Sequence, residues 1–187
     1  MKATNWNNVA PAEEKSYDRP SAGGYVCRIV NVEDNEEKEY VQMLLDICEG
    51  KYAGRGEAME SSMGVTWGYY TAWRSYKDSA QGFFRAFLDT LEASNSRFVV
   101  KKFSNDANEF RGLIVGVILR DEEYVNKNGE KKVRTAVYKM IPADDIRAGN
   151  YKVPGLKPLS KEDEAKVITT TSYVPFSDTN ASVVVPF

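Results

Sequence analysis

Three aromatic residues, Trp67, Tyr69 and Trp73, stand at spacings of two and four, with Arg74 and Lys77 directly after them. On a regular strand that spacing puts the three rings on one face. Flat rings beside cations suit a sequence-tolerant binder of single-stranded nucleic acid. Bases stack on the rings for roughly 1–3 kcal/mol each, and cations follow the phosphates. Tyr70 has the opposite parity and is expected in the core. A second group of cations, Lys127, Lys131, Lys132 and Arg134, crowds a short turn, and Tyr52 with Arg55 lies in a glycine-rich stretch upstream. Each cluster has a plainer explanation. The Trp67 face could be the core face of an aromatic-rich barrel, and the lysines could mark a solvated hairpin tip.

Catalytic chemistry has less to work with. The chain contains no histidine, which removes Ser-His and Cys-His nucleophile pairs and the commonest zinc sites. Neither a phosphate-cradling Gly-x-x-x-x-Gly-Lys-Ser/Thr loop nor a Gly-x-Gly-x-x-Gly turn occurs. One enzymatic pattern stands: Glu49-Gly-Lys51 is the Glu-x-Lys half of a Mg²⁺-dependent nuclease core, with Asp34 or Asp46 as the second carboxylate. Asp46, however, is only three residues from Glu49, without the usual separation between strands. The expectation is a non-catalytic protein with no cofactor and no metal. Cys27 and Cys48, the only cysteines, sit in β-like runs and are expected as buried, inert thiols.

The formal net charge of −2 hides an uneven distribution. Acids dominate residues 1–60, whereas bases dominate residues 97–139. A polyanion responds to local charge within a Debye length rather than to the total. No apolar run approaches the ~18 residues that span a bilayer, and Met1–Pro20 is polar and acidic where a signal peptide would be basic and then apolar, so a cytoplasmic location is expected.

The elements that must position these residues are legible as periods. Residues 1–22 read as an N-terminal arm, with Trp6 as a docking ring. Tyr25–Val32 and Tyr40–Cys48 read as paired strands about the charged turn 33–39, with Val41, Met43, Leu45 and Ile47 on the core face. Glu49–Gly64 reads as a long loop and Val65–Trp73 as a third strand. The period then changes: Phe83, Phe84, Phe87, Leu88 and Leu91 form one stripe of a helix between about Lys77 and Ser94, with Asp78 or Ser79 to start it and Asn95 to stop it. Gly112–Arg120, extended to Val125, and Lys131–Lys139 are two further strands about an Asn126–Gly129 hairpin, whose Asn-Gly pair tolerates positive φ. Three strands, one helix and two strands make a mainly β chain with the connectivity of a five-stranded OB-like barrel. That domain is expected over residues 23–159, with a flexible tail over 160–187.

Several of these segments carry a resemblance. Gly23-Gly24-Tyr25-Val26 entering a strand, Val32-Glu33-Asp34 closing it, Asp46-Ile47-Cys48-Glu49-Gly50 before a glycine loop, and Phe87-Leu88 on a helix resemble the single-stranded-DNA-binding proteins of phage and prophage replication modules. Glu122-Glu123-Tyr124, the Asn128-Gly129 hairpin, and Ile146-Arg147-Ala148-Gly149 leading to Val153-Pro154-Gly155-Leu156-Lys157 are similar to the end of that family's domain. The resemblance covers roughly Trp6 to Leu159 and rests on structural punctuation rather than a site signature. It implies an OB-type single-stranded DNA binder in the cytoplasm of a bacterial host, without a cofactor, working beside replication or recombination proteins. It names no DNA-contacting residue. Dimerisation, which multiplies binding surface in such proteins, stays open.

A third class of function, an adaptor that presents surfaces to partners, rests on the tail. The tail ends Val185-Pro186-Phe187 and echoes it at Val174-Pro175-Phe176. A terminal Pro186-Phe187 resembles the protein-docking tip of bacterial single-stranded-DNA-binding proteins, where a pocket takes the ring. Those tips are strongly acidic, whereas Asp178 is the one acid in the last seventeen residues here. If the tip recruits replication proteins, deleting residues 182–187 abolishes their co-purification in a pull-down; unchanged recovery removes the docking role.

Overall fold

The longest strand, β1 (Gly23–Asn35), carries two different partners along its length. Residues 23–28 pair antiparallel with β4 (Ile114–Val125), and the stretch from Cys27 to Asn35 pairs antiparallel with β2 (Tyr40–Ile47). Between Ile29 and Asn31 the register slips by one residue, so Val30 is a bulge that bends the strand as it changes partner. β3 (Tyr70–Ser75) extends the sheet beyond β2, and β5 (Lys131–Ile141) extends it beyond β4. The order is β3-β2-β1-β4-β5, antiparallel throughout. The computed structural model describes residues 19–165 and 167. Within them the sheet is not closed, since no ladder joins β3 to β5. The closed barrel expected from the strand count is replaced by an open, curled sheet.

The alternation of β2 predicts its burial. Val41, Met43, Leu45 and Ile47 are all buried, as are Cys27, Ile29 and Val32 of β1 and Val115, Val117 and Leu119 of β4. Helix α2 (Gln81–Ser94) closes this core with Phe87, Leu88 and Leu91. Phe83, expected in the same stripe, lies at its edge and is 78% exposed. The segment between α2 and β4 adds a second apolar layer through two short 3-10 turns. Phe110 is fully buried, with Phe84, Phe87, Phe98 and Phe103 around it at centroid separations of 5.1–6.3 Å.

Helices account for the other departures. Glu49–Gly64, expected as a loop, contains α1 (Arg55–Met63), whose flanking Gly54 and Gly64 both take positive φ. α3 (Ala143–Arg147) follows β5, and α4 (Lys161–Glu164) lies where the tail was expected to begin. The third strand starts at Tyr70 rather than Val65, so residues 65–69 are a turn. Neither Asp78 nor Ser79 caps α2: both lie in a 3-10 turn before it, where Asp78 accepts from the Gln81 side chain. Cys27 is buried as expected, whereas Cys48 is only partly so and directs its thiol at Val26 O, 3.4 Å away. Burial pushes both thiols up from their ordinary pKa. No helix among the described residues is long and apolar enough to cross a membrane.

Asn95 stops α2 as expected and then does more. Its Nδ2 donates to Leu91 O and Ile114 O at 2.8 Å, and its Oδ1 accepts from Ile114 N at 2.9 Å, so one amide joins the helix end to the first residue of β4. Asn95→Asp removes both donors and sets a carboxylate against two carbonyl oxygens. Urea unfolding is expected to show a loss of about 1–3 kcal/mol at neutral pH, shrinking in acid as the new carboxyl is protonated; equal stability would mean the bridge carries no load.

Candidate nucleic-acid interface

The site begins with a buried carboxylate. Asp46 has outward parity on β2, yet it is buried, because α1 lies over it. Its Oδ1 accepts from Gly56 N at 2.8 Å and its Oδ2 from Glu57 N at 3.2 Å. Helix starts leave amides without partners, and Gly54 at the N-cap has no side chain to offer, so a strand residue caps α1 instead.

That cap sets Arg55 and Gly56 in place for the turn that follows α1. The Tyr69 ring lies directly on Gly56, where a Cβ would stand 2.2 Å from it, and Gly68 packs against Gly56 and Met59. Tyr69 donates its hydroxyl to Glu60 Oε2 at 2.6 Å. Arg55 donates Nη1 to Gly68 O at 3.2 Å and holds its guanidinium 5.7 Å from the Trp67 ring centre. On β3, Trp73 donates Nε1 to Gln42 Oε1 at 3.0 Å, which fixes the indole across the β2–β3 pair. Trp67 is 51% and Trp73 56% exposed, so neither forms the core face of a barrel. Only Trp73 belongs to a strand; the three aromatics converge by chain reversal rather than by strand alternation.

They converge on a groove of about 460 Å³ that runs between the facing edges of β3 and β5. One wall holds Arg55, Trp67, Tyr69, Tyr70, Thr71 and Trp73; the other holds Arg134 to Val137 of β5, with Arg19 and Pro20 beside them. Pro20 is fully buried, and Thr135 Oγ1 lies 3.2 Å from Pro20 O. The described residues lining this groove include three guanidinium groups and no carboxylate. The hydrogen bond to Glu60 is the largest cause that pushes the Tyr69 phenol up to about 12, and burial pushes Tyr70 to about 12, so both rings stay neutral at physiological pH. Arg19 and Thr71 had no signal in the sequence.

Other expected site residues lie elsewhere. Arg74 shares the parity of buried Ala72, and its guanidinium turns to the α2 side, 5.7 Å from the Phe87 ring centre. Lys77 is exposed just past β3, outside the groove, and Lys127 is exposed at the hairpin tip. Lys131 pairs with Glu123 at 2.8 Å and Lys132 with Glu130 at 3.3 Å, so each cation has a carboxylate of its own. Tyr52 packs against the core with its ring edge-on to Tyr25. Pro186 and Phe187 lie outside the described residues, as does Trp6.

The nuclease pattern is occupied otherwise. Glu49 is spanned by Arg147, with Nε 3.2 Å from both carboxylate oxygens, and this hydrogen bonding holds its carboxyl below the usual range. Asp46 is committed to α1, and Asp34 Oδ1 accepts from Tyr76 at 2.9 Å. A larger cavity, about 540 Å³, lies on the other side of the core among Tyr76, Phe84, Phe103 and Phe110. Asp34 and Glu36 line it, and its one cation, Arg85, pairs with Asp89 at 2.9 Å, so it is a poor fit to a polyanion.

The chain matches no known protein-family model, and no curated protein is significantly similar to it.

Gly56 is the contact on which the Tyr69 ring rests. Gly56→Ala is expected to cost about 1–3 kcal/mol by overpacking. In a Tyr69→Ala background the same change becomes neutral or stabilising, because Ala is the better helix former by about 1 kcal/mol. A double-mutant cycle by chemical unfolding checks this, and additive costs would mean the ring does not sit there.

Proposed function

We propose that the protein binds single-stranded DNA without catalysis, in the groove between β3 and β5, as part of phage DNA replication or recombination. The observation that carries this reading is the convergence of Trp67, Tyr69 and Trp73 with Arg19, Arg55 and Arg134 in one groove with no lining carboxylate. Half-exposed indoles offer faces to unstacked bases, which a duplex keeps hidden, and the guanidinium groups offer planar donors to phosphates. The fold supports the same reading. The order β3-β2-β1-β4-β5, with α2 between β3 and β4, is the order an OB-like barrel would keep if it opened between β3 and β5. The choice of DNA, and of phage replication, rests on the resemblance in the strand-entry and hairpin segments; nothing in the groove selects against a 2′-hydroxyl.

Tryptophan fluorescence titrated with a single-stranded oligodeoxynucleotide tests the proposal. Quenching should favour the single strand over a duplex of the same sequence and weaken linearly on a log-log salt plot. Trp67→Ala and Trp73→Ala should each cost roughly 1–3 kcal/mol of binding, with Lys77→Ala close to neutral. Affinity should be level between about pH 6 and 9, since the chain has no histidine and both groove tyrosines titrate near 12. Mg²⁺ should leave the oligonucleotide intact. Absence of binding at low salt refutes the reading, and Mg²⁺-dependent cleavage that Glu49→Gln abolishes would establish a nuclease in its place.

A further inference from the structure

The outer face of the β4–β5 hairpin continues the groove through an unbroken series of ring and ion contacts. Arg134, a groove residue, places its guanidinium 5.3 Å from the Tyr124 ring centre and 3.7 Å from Glu122. Glu122 also accepts from Arg120 at 3.0 Å and lies 3.9 Å from Lys157, so three cations share one carboxylate. Arg120 in turn stacks over Tyr138, 4.9 Å from the ring centre, and Tyr138 is 47% exposed. In β4 and β5 the pairs Arg120–Ala136 and Glu122–Arg134 stand opposite each other, which puts this series on one face.

We infer that this face is the second half of the nucleic-acid track, taking the strand as it leaves the groove at Arg134 and stacking a base against Tyr138. The inference rests on the groove being a single-strand site and names where the strand goes next. Charge complementarity selects the occupant. Three cations around one carboxylate leave positive charge uncompensated, and planar Arg–Tyr pairs are stacking platforms for bases. Arg134 and Tyr138 are four residues apart, ~13 Å along β5, so a strand crossing this face is longer than one held by the groove alone. Glu122 regulates the face, because it competes with phosphate for the same three cations.

Oligothymidylates of about 4 and about 16 nucleotides, the range one barrel domain covers, separate the two halves. The short one should bind the groove and be lost on Trp67→Ala but not on Tyr138→Ala. The long one should bind tighter than the short one, and Tyr138→Ala should weaken it roughly fivefold or more. Glu122→Gln keeps the shape and an acceptor for Arg120 while removing the charge. It should tighten the long oligonucleotide and steepen its salt slope by about 0.7 for each further phosphate engaged. Damage to the fold would not raise affinity, so the two variants acting in opposite directions exclude a merely structural effect. If the short oligonucleotide binds while the long one ignores both variants, the track is overturned and the groove stands. If neither binds, both fall together.

Discussion

The bend in β1 is the constraint on which the rest of the molecule depends. In a flat sheet of this strand order, the edges of β3 and β5 would lie four inter-strand gaps apart, ~19 Å. Instead they line one groove. What closes that distance is a thirteen-residue strand that gives its first half to β4 and its second half to β2, with both partners present only around Cys27 and Arg28 and a bulge at Val30 just beyond. A bulge adds right-handed twist at a single point, so the two halves of the sheet wrap towards each other. The buried faces of both halves then point at a common interior, which α2 and the phenylalanines around Phe110 fill. The groove is what the curl leaves where no ladder closes it.

Within that frame, Asp46 does for the site what the bulge does for the sheet. A carboxylate taken out of water without partners costs several kcal/mol. Here the first amides of α1 supply the partners, and the positive end of the helix adds to them. α1 has little else to hold it, since Gly56 and Met59 are its only buried residues. The helix therefore sits where the strand tells it to. Its Gly56 then becomes the floor under Tyr69, and its Arg55 the brace for Gly68 and Trp67. Tyr69 and Trp67 are thus held through a series of contacts that starts from one strand residue, while Trp73 is held separately by Gln42.

This dependence explains what the sequence made legible. β2, α2 and the Asn-Gly hairpin are local: alternation, a stripe at helical spacing and one positive-φ glycine each fix them within a few residues. α1 has no such period, because a single large apolar side chain, Met59, faces inward and its cap comes from ten residues upstream. Val65 to Tyr69 has the composition of a strand but folds as a turn, since its rings gain more by packing on α1 than by pairing. Trp67, Tyr69 and Trp73 do line one groove, though for a reason that strand parity does not supply. Parity would have excluded Arg74, which shares the register of Tyr70 and buried Ala72. Of the far wall, Arg134 is marked by its place in the hairpin cluster, whereas its position beside Arg19 and Pro20, opposite the aromatic rings, depends on the curl and leaves no local trace.

The placement of acids sets the two concave surfaces apart. The overall charge is negative, yet Glu33, Asp34, Glu36 and Glu37 gather at the β1–β2 turn, beside the aromatic cavity rather than the groove. Lys131 and Lys132 of the second hairpin are matched one to one by Glu123 and Glu130, which cancels much of their field at ordinary salt. The groove cations are arginines, and Arg55 already lies against an indole. A guanidinium is weakly hydrated and presents donors in its own plane, so it can lie against a ring and still face a phosphate, which an ammonium group does poorly. The larger cavity is thus lined by acids and one paired cation, while the smaller groove sets three arginines beside half-exposed rings with no carboxylate among its described lining residues.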